Sequence, residues 1–280
     1  MIDYELIDSG NGRRLERFGK YVLDRPDPEV LWSKSNPGEW NKADAKFEKN
    51  WINRNNVPEK WQIDVNGLKF WLKLTPFKHT GIFPEQDWEW EYINKQITQY
   101  ANNPINKNKL LNVLNLFAYT ATATMFAAKA GAKVTHVDAS RPAITWANEN
   151  RDLNGLAKAP IRWIIDDAPT FVNREIKREV KYDAIIMDPP VYGHGPNGKP
   201  WDFARDFPKL LNSIRRALSE KPLFVLINAY AISTSPITLA NTLSDQFKNL
   251  GGKIDSGELT IKEKSSGRLL STGIWARWQA

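Results

Sequence analysis

The central part of the chain alternates short buried strands with helical segments, and this alternation restricts the fold more than any other feature. Apolar runs typical of buried strands lie at residues 110–117, 134–138, 161–166, 182–188 and 223–230. Segments with helical spacing separate the first four runs. Strands that alternate with helices form a parallel sheet with helices on both faces. The sequence therefore predicts an α/β fold for this part of the chain.

Glycine residues mark the ends of the predicted helices between these strands. A helix over residues 120–132 ends at Gly131, and a helix over residues 141–154 has Gly155 just beyond it. A further helix, over residues 85–102, precedes the first strand. The regular order of strand, helix and glycine indicates successive βα units.

The C-terminal part departs from this order. Residues 251–264 and 267–280 have the pattern of two strands, with a turn but no helix between them. We expect these strands to pair as an antiparallel hairpin that closes the parallel sheet.

The N-terminal part has a different character, with prolines, turn pairs and many tryptophans. Residues 61–74 alternate on either side of Asn66-Gly67, which predicts a β-hairpin. Residues 36–60 are expected to form a loop or a weak helix. We predict two domains, a small β-rich domain over residues 1–76 and the α/β domain over residues 77–280.

Composition excludes several functions. The 280 residues contain 0 cysteines, so chemistry that needs a thiolate nucleophile is excluded. No apolar run approaches the roughly 18 residues of a membrane span, and the N-terminus lacks a signal pattern. We therefore expect a cytoplasmic protein without a membrane partner. The net charge of +7 favours a nucleic-acid partner, although a basic protein without one remains an alternative.

Ligands of open α/β sheets bind beyond the carboxyl ends of the strands, where the strand order reverses. The first strand runs through Asn115 into Phe117, Ala118, Tyr119, Thr120 and Ala121, and the chain then turns directly into a helix. Such a turn presents backbone N–H groups to a ligand. An ordinary βα turn is the alternative.

The second and third strands end in acidic residues. Asp138 lies about 20 residues after the first turn, a spacing that suits a carboxylate bound to a ribose diol. A helix cap is the alternative, although Ser140 also fits that role. The third strand ends in Asp166-Asp167, whose carboxylates suit an adenine amino group or, alternatively, a helix cap.

The fourth strand ends in Asp188-Pro189-Pro190, followed by Val191 and Tyr192. Two prolines cannot continue a hydrogen-bonded strand, so they predict a rigid extended loop at the edge of the sheet. Such a loop suits a flat acceptor group, which Tyr192 would contact by stacking. A simple strand end is the alternative.

Together these segments resemble the class I methyltransferase family that includes the 23S ribosomal RNA large-subunit methyltransferases for cytosine C5 and guanine N7. The resemblance covers about residues 78–231 and rests on KHTGIFPEQ (78–86), LNLFAYTATAT (114–124), VDAS (137–140), DDA (166–168) and MDPPVYG (187–193). It implies a Rossmann-like fold with a mostly parallel seven-stranded sheet, an antiparallel C-terminal hairpin and a small β-rich N-terminal extension. It also implies S-adenosylmethionine (SAM) as cofactor.

The resemblance implies roles for individual residues. The cofactor-binding residues would be Phe83, Gln86, Asn115, Phe117, Ala118, Tyr119, Thr120, Asp138, Ala139, Ser140, Asp166, Asp167 and Asp188. The residues at the acceptor would be Asp188, Pro189, Pro190 and Tyr192.

The sequence departs from the family pattern in three ways. It has Ala121-Thr122 where the family commonly has Gly-Gly, and the family's RNA-binding PUA module is not evident. Cytosine C5 methylation needs a cysteine that adds to the ring, which this chain lacks. We therefore predict N-methylation of a purine in RNA, with ribosomal RNA favoured. The alternatives are a methyltransferase acting on a small molecule or protein, and a cofactor-binding protein without catalysis.

The three histidines have no metal-ligand spacing, so no metal site is predicted. His136 lies within a strand and is expected to be a core or sheet-face residue. His194, just after the proline loop, is expected to be exposed to solvent, although contact with substrate is an alternative.

Overall fold

The computed structural model of the protein describes residues 1–107, 109–195 and 198–280. By its contacts the chain divides into two compact units. The first unit holds Met1–Asp87 and Leu259–Thr272, and the second holds Trp88–Glu258 and Gly273–Ala280. The domain boundary predicted after residue 76 stays a prediction.

The first unit is built on a five-stranded sheet. Its strands are β1 (Tyr4–Gly10), β2 (Arg13–Phe18), β3 (Tyr21–Pro26), β4 (Ala45–Phe47) and β5 (Trp51–Asn53). They lie side by side in chain order, and only the pairing of β3 with β4 is parallel. Leu15 and Phe18 of β2 and Leu23 of β3 are fully buried. The β-rich N-terminal extension is therefore confirmed.

The expectation for residues 36–60 is wrong in part. A 3-10 turn (Pro37–Lys42) does form there, but β4 and β5 follow it and add to the sheet. Each of these strands has only 3 residues. That length is too short for an alternating pattern to appear in the sequence.

The predicted hairpin is confirmed. Strands β6 (Lys60–Val65) and β7 (Leu68–Lys73) pair antiparallel, with Val65 opposite Leu68. Between them Asn66 and Gly67 have φ values of 51° and 78°. This left-handed pair is the turn that Asn-Gly favours, because its twist matches that of the strands.

The larger sheet has seven strands and confirms the predicted fold class. Numbered in chain order, the remaining strands are β8 (Asn112–Leu116), β9 (Lys133–Asp138), β10 (Ile161–Ile165), β11 (Ala184–Met187), β12 (Tyr192–His194), β13 (Pro200–Asp202), β14 (Phe224–Ala229), β15 (Lys253–Lys262) and β16 (Leu269–Gln279). The sheet order is β10-β9-β8-β11-β14-β16-β15, and β12 pairs with β13 separately. The five strands from β10 to β14 in this order are parallel, whereas β16 is antiparallel to β14.

Helices cover both faces of this sheet. They are α1 (Asp87–Asn102), α2 (Thr122–Lys129), α3 (Arg141–Leu153), α4 (Ala168–Lys177), α5 (Phe203–Ala217) and α6 (Pro236–Phe247). One core cluster packs α4, α5 and α6 against the sheet, and another packs α1 and α2 against it. Helix α5 was not predicted from the sequence, although its buried residues have helical spacing: Phe207, Leu210, Leu211 and Ile214.

The strand order reverses at β8. The chain passes from β8 to β9 on one side of it, and the later strand β11 lies on its other side. Parallel strands present their carboxyl ends at one edge, so the loops after β8, β9 and β11 come together there. This crevice is where open α/β sheets bind their ligands.

Candidate functional site

The turn after β8 has a backbone conformation that normally favours glycine. Phe117, Tyr119 and Ala121 have φ values of 53°, 47° and 76°. A left-handed conformation costs a non-glycine residue roughly 1–2 kcal/mol, so surrounding contacts have to hold this turn. One of them is the Ala118 N–H, which donates to the Val137 carbonyl at 3.1 Å. Ala121 therefore adopts a left-handed conformation at the position where the resemblance leads us to expect glycine.

Asp138 joins this turn to the loop after β9. Its Oδ2 accepts the Tyr119 N–H and its Oδ1 accepts the Ser140 N–H, both at 2.8 Å. Ser140 caps α3 by accepting the Ala143 N–H, so the cap does not require Asp138. Burial raises the pKa of Asp138, and the two N–H bonds only partly offset this effect. Each oxygen still has a lone pair for a further donor, and two ribose hydroxyls fit that need.

A chain of buried hydrogen bonds lies beneath the turn. The Asn115 Nδ2 donates to the Thr124 Oγ1 at 3.0 Å, and this hydroxyl lies 2.9 Å from the His136 Nδ1. Burial lowers the pKa of His136 to about 3. The ring is therefore neutral, and its hydrogen bond with the Thr124 hydroxyl at Nδ1 helps to orient Asn115. His136 is a buried core residue, as predicted.

The two acidic residues after β10 both bond to their own chain. The Asp167 Oδ2 caps α4 by accepting the Thr170 N–H at 3.0 Å and its hydroxyl at 2.7 Å. Asp166 accepts the Asp167 N–H at 2.9 Å and forms an ion pair with Arg174. The helix cap that was the alternative for Asp167 is therefore present. Contact of either carboxylate with adenine stays a prediction.

The Asp188-Pro189-Pro190 loop leaves the sheet directly after β11. Pro189 is buried, whereas Pro190 is exposed. The Pro190 carbonyl accepts the Trp201 Nε1–H at 2.6 Å, which ties the loop to β13. Tyr192 begins β12 and is 73% exposed, so its ring is available to a partner. The geometry offers a fixed loop with an exposed aromatic ring beside the reversal point.

Comparison with known proteins identifies the family. The sequence profile of a family described as S-adenosylmethionine-dependent methyltransferase matches residues 41–243. The chain belongs to this family. A crystal structure of the SAM dependent methyltransferase from Agrobacterium tumefaciens has 40% sequence identity and a TM-score of 0.93. The match covers 99% of this chain and 90% of that chain.

Curated relatives match over a smaller part of their length. Two proteins named ribosomal RNA large subunit methyltransferase K/L, from Alteromonas mediterranea and Shewanella frigidimarina, are 31% and 35% identical. The matches cover 67% and 58% of this methyltransferase. They cover 25% and 21% of the relatives, so the chain spans about a quarter of the proteins that carry that name.

The remaining predicted cofactor residues lie in both units. Thr120 is buried, and its carbonyl accepts the Asn150 Nδ2–H at 2.9 Å, while Ala139 follows β9. Phe83 and Gln86 belong to the first unit, where the Gln86 N–H donates to the Phe83 carbonyl at 3.0 Å in a 3-10 turn. The roles implied for these residues stay predictions.

One polar pair at this edge of the methyltransferase was not predicted from the sequence. The Asn228 Nδ2, near the end of β14, donates to the Glu89 Oε2 of α1 at 2.7 Å, and both residues are buried. The Asn228 Oδ1 has no hydrogen-bond partner among the residues that the structure describes. An unsatisfied buried acceptor costs about 1–3 kcal/mol. The polar Asn228 inside an apolar strand was the only sequence signal of this pair.

Two features are absent from the described ranges, 1–107, 109–195 and 198–280. No group of three or more His, Asp or Glu side chains there is arranged to hold a metal ion. No helix in those ranges combines the length and the apolar character that crossing a membrane requires. His194, at the end of β12, is exposed.

Proposed function

We propose that this methyltransferase N-methylates a purine base in RNA, with ribosomal RNA favoured. The observation that carries the proposal is the Asp188-Pro189-Pro190 loop, which follows the strand beside the reversal point. The relatives named ribosomal RNA large subunit methyltransferases support RNA as the acceptor. The net charge of +7 is in keeping with a polyanionic substrate.

The residues around the reversal point fit the cofactor. Asp138 would accept the ribose hydroxyls, and the turn from Asn115 to Ala121 would hold the methionine end through backbone N–H groups. When bound, SAM supplies an electrophilic methyl group: the acceptor nitrogen's lone pair forms the N–C bond, the C–S electrons pass to sulfur, and S-adenosylhomocysteine is released. The protein's own task is to align the nitrogen with that methyl group.

Asp188 and its neighbours would prepare the acceptor nitrogen. The lone pair of an exocyclic amine is conjugated with the ring and therefore a weak nucleophile. Hydrogen bonds from its two protons to the Asp188 carboxylate and the Pro189 carbonyl would favour a pyramidal nitrogen. The carboxylate would then take the proton that the nitrogen loses. The exposed Tyr192 ring would stack on the base.

Cytosine C5 methylation is excluded for these 280 residues. That reaction requires a thiolate that adds to C6 of the ring, and the chain has 0 cysteines. A ring nitrogen or an exocyclic amine needs no such covalent step, so the purine nitrogens that we propose as acceptors are compatible with a chain that lacks cysteine.

The experiment is methyl transfer from tritiated SAM to separated cell fractions. The protein is incubated with total RNA, total protein or a small-molecule extract, and label is counted after each fraction is repurified. We expect label in RNA, abolished by prior ribonuclease treatment. Label found only in protein or in small molecules would reject RNA and support one of the two alternative acceptors.

A further inference from the structure

Asn228 occupies a distinctive place in the sheet. In the parallel pairing of β11 with β14, Met187 lies opposite Ile227. The next residues on the two strands are therefore Asp188 and Asn228, side by side at the carboxyl edge. On β14, Asn228 is 3% exposed and follows four apolar residues that are fully buried.

Near the carboxyl edge, the buried polar side chains Asn115, His136 and Asn228 lie on one face of the sheet. His136 pairs with Asn115, Asn115 with Ile186, and Ile186 with Leu226, so these four side chains share a face. Asn228 lies two residues beyond Leu226 and so belongs to that face as well. It is the face that α1 and α2 cover.

At the same position along the strands, the opposite face of the sheet is apolar. Its residues there are Leu116, Val137, Met187 and Ile227, which belong to the cluster under α4, α5 and α6. A strand end that needed only packing could carry an apolar residue on both faces. The buried amide of Asn228 therefore calls for a functional explanation.

Glu89 fixes how the amide of Asn228 is presented. A carboxylate only accepts hydrogen bonds, so it holds the Nδ2 of Asn228 at 2.7 Å and turns the Oδ1 away from itself. The enclosed Oδ1 has no partner in the described part of the chain. The pair thus holds one enclosed acceptor atom in a fixed orientation, on the strand next to the one that ends at Asp188.

We propose that the Asn228 Oδ1 accepts a hydrogen bond from an N–H group of the acceptor base, and that Glu89 is the positioning residue for this contact. The inference rests on the proposed function. The strand order favours the acceptor over the cofactor as the donor. Asp138 and Asp167 follow β9 and β10, on one side of β8, whereas β14 lies beyond β11 on the other side. Asn228 thereby selects acceptors that carry an N–H donor.

The test replaces Asn228 by leucine, which is similar in size and has no polar atom. The matched control is Tyr182→Phe, because the Tyr182 hydroxyl donates to the buried carboxylate of Glu175 at the same distance, 2.7 Å. Tyr182 precedes β11, at the amino end of the sheet, remote from the site. Both variants lose one donor to a buried carboxylate, so both are expected to lower the melting temperature. Glu89→Gln is a third variant, which keeps the size of the side chain but removes the carboxylate.

Two readouts distinguish a contact with the acceptor from a contact with the cofactor. For Asn228→Leu we expect kcat/KM for the acceptor to fall about 10- to 100-fold at saturating SAM, while the Kd of SAM measured by calorimetry stays within about twofold. Glu89→Gln should give a smaller loss of the same kind, and Tyr182→Phe no loss. A weaker Kd for SAM with unchanged acceptor kinetics, or an equal loss in Tyr182→Phe, would overturn the inference.

The acceptor used is the fraction that the wild-type protein labels in the tritium experiment. If that fraction is protein or small molecules, RNA is rejected as the acceptor, and Asn228 is still tested on the substrate found. If the wild-type protein labels no fraction, both proposals are rejected.

Discussion

The replacement Asp138→Asn tests the ribose contact directly. Each Asp138 oxygen accepts one backbone N–H at 2.8 Å, from Tyr119 and from Ser140. Asparagine keeps the shape but retains a single acceptor oxygen, so one backbone bond is lost and an amide donor faces an N–H group. A hydrogen bond to a charged group contributes about 1.5–3 kcal/mol. We expect the free energy of unfolding to fall by about 2 kcal/mol.

The effect on cofactor binding follows from the same charge. A ribose hydroxyl that loses a carboxylate acceptor loses a similar free energy, which corresponds to a roughly 10- to 100-fold weaker Kd. Calorimetry gives the Kd of SAM, and urea unfolding gives the stability. Asp202→Asn is the control: Asp202 caps α5 by accepting the Arg205 N–H at 2.9 Å, and asparagine caps equally well. A Kd for Asp138→Asn within twofold of the wild type would refute the ribose assignment.

Three further predictions concern pH and stability. Because burial raises the pKa of Asp138 and ribose favours its ionised form, SAM affinity should fall as pH drops through that pKa. Calorimetry at several pH values checks this, and in Asp138→Asn the Kd of SAM should not change with pH. Burial tends to raise the pKa of Glu175, but hydrogen bonds from Tyr182 and Arg162 outweigh it and lower that pKa. The stability that the ionised Glu175 contributes is therefore present above its ordinary pKa and is lost as pH falls through the lowered pKa. Tyr182→Phe should therefore cost about 2 kcal/mol in urea unfolding at neutral pH and less at acid pH. Gly67→Ala should lower the free energy of unfolding by about 1–2 kcal/mol, because φ is 78° there. In the control Gly38→Ala the added Cβ meets nothing closer than 3.9 Å, so the melting temperature should stay nearly unchanged.

Local chemistry explains which parts of the fold were predictable from sequence. The hairpin at Asn66-Gly67 was predictable because its turn depends on two adjacent residues. The central parallel strands β8, β11 and β14 were predictable because they are buried on both faces and appear as largely apolar runs. Strands β4 and β5 were not, since each has only 3 residues, too few for an alternating pattern.

The candidate site was predictable only where it follows strand ends. Asp138 and Asp188 could be found because each ends a recognisable strand. The conformation of Ala121 could not be found, because surrounding contacts impose a left-handed φ that alanine itself disfavours. The pairing of Asn228 with Glu89 could not be predicted, because the two residues are 139 positions apart in the chain.

The most direct test of the account is the chemical identity of the methylated product. RNA labelled by the purified protein is digested to nucleosides, which are then separated and identified by mass spectrometry. We predict a purine nucleoside methylated on nitrogen, absent when SAM is omitted. 5-Methylcytidine as the product would contradict the account, because the 280 residues provide no cysteine for that reaction.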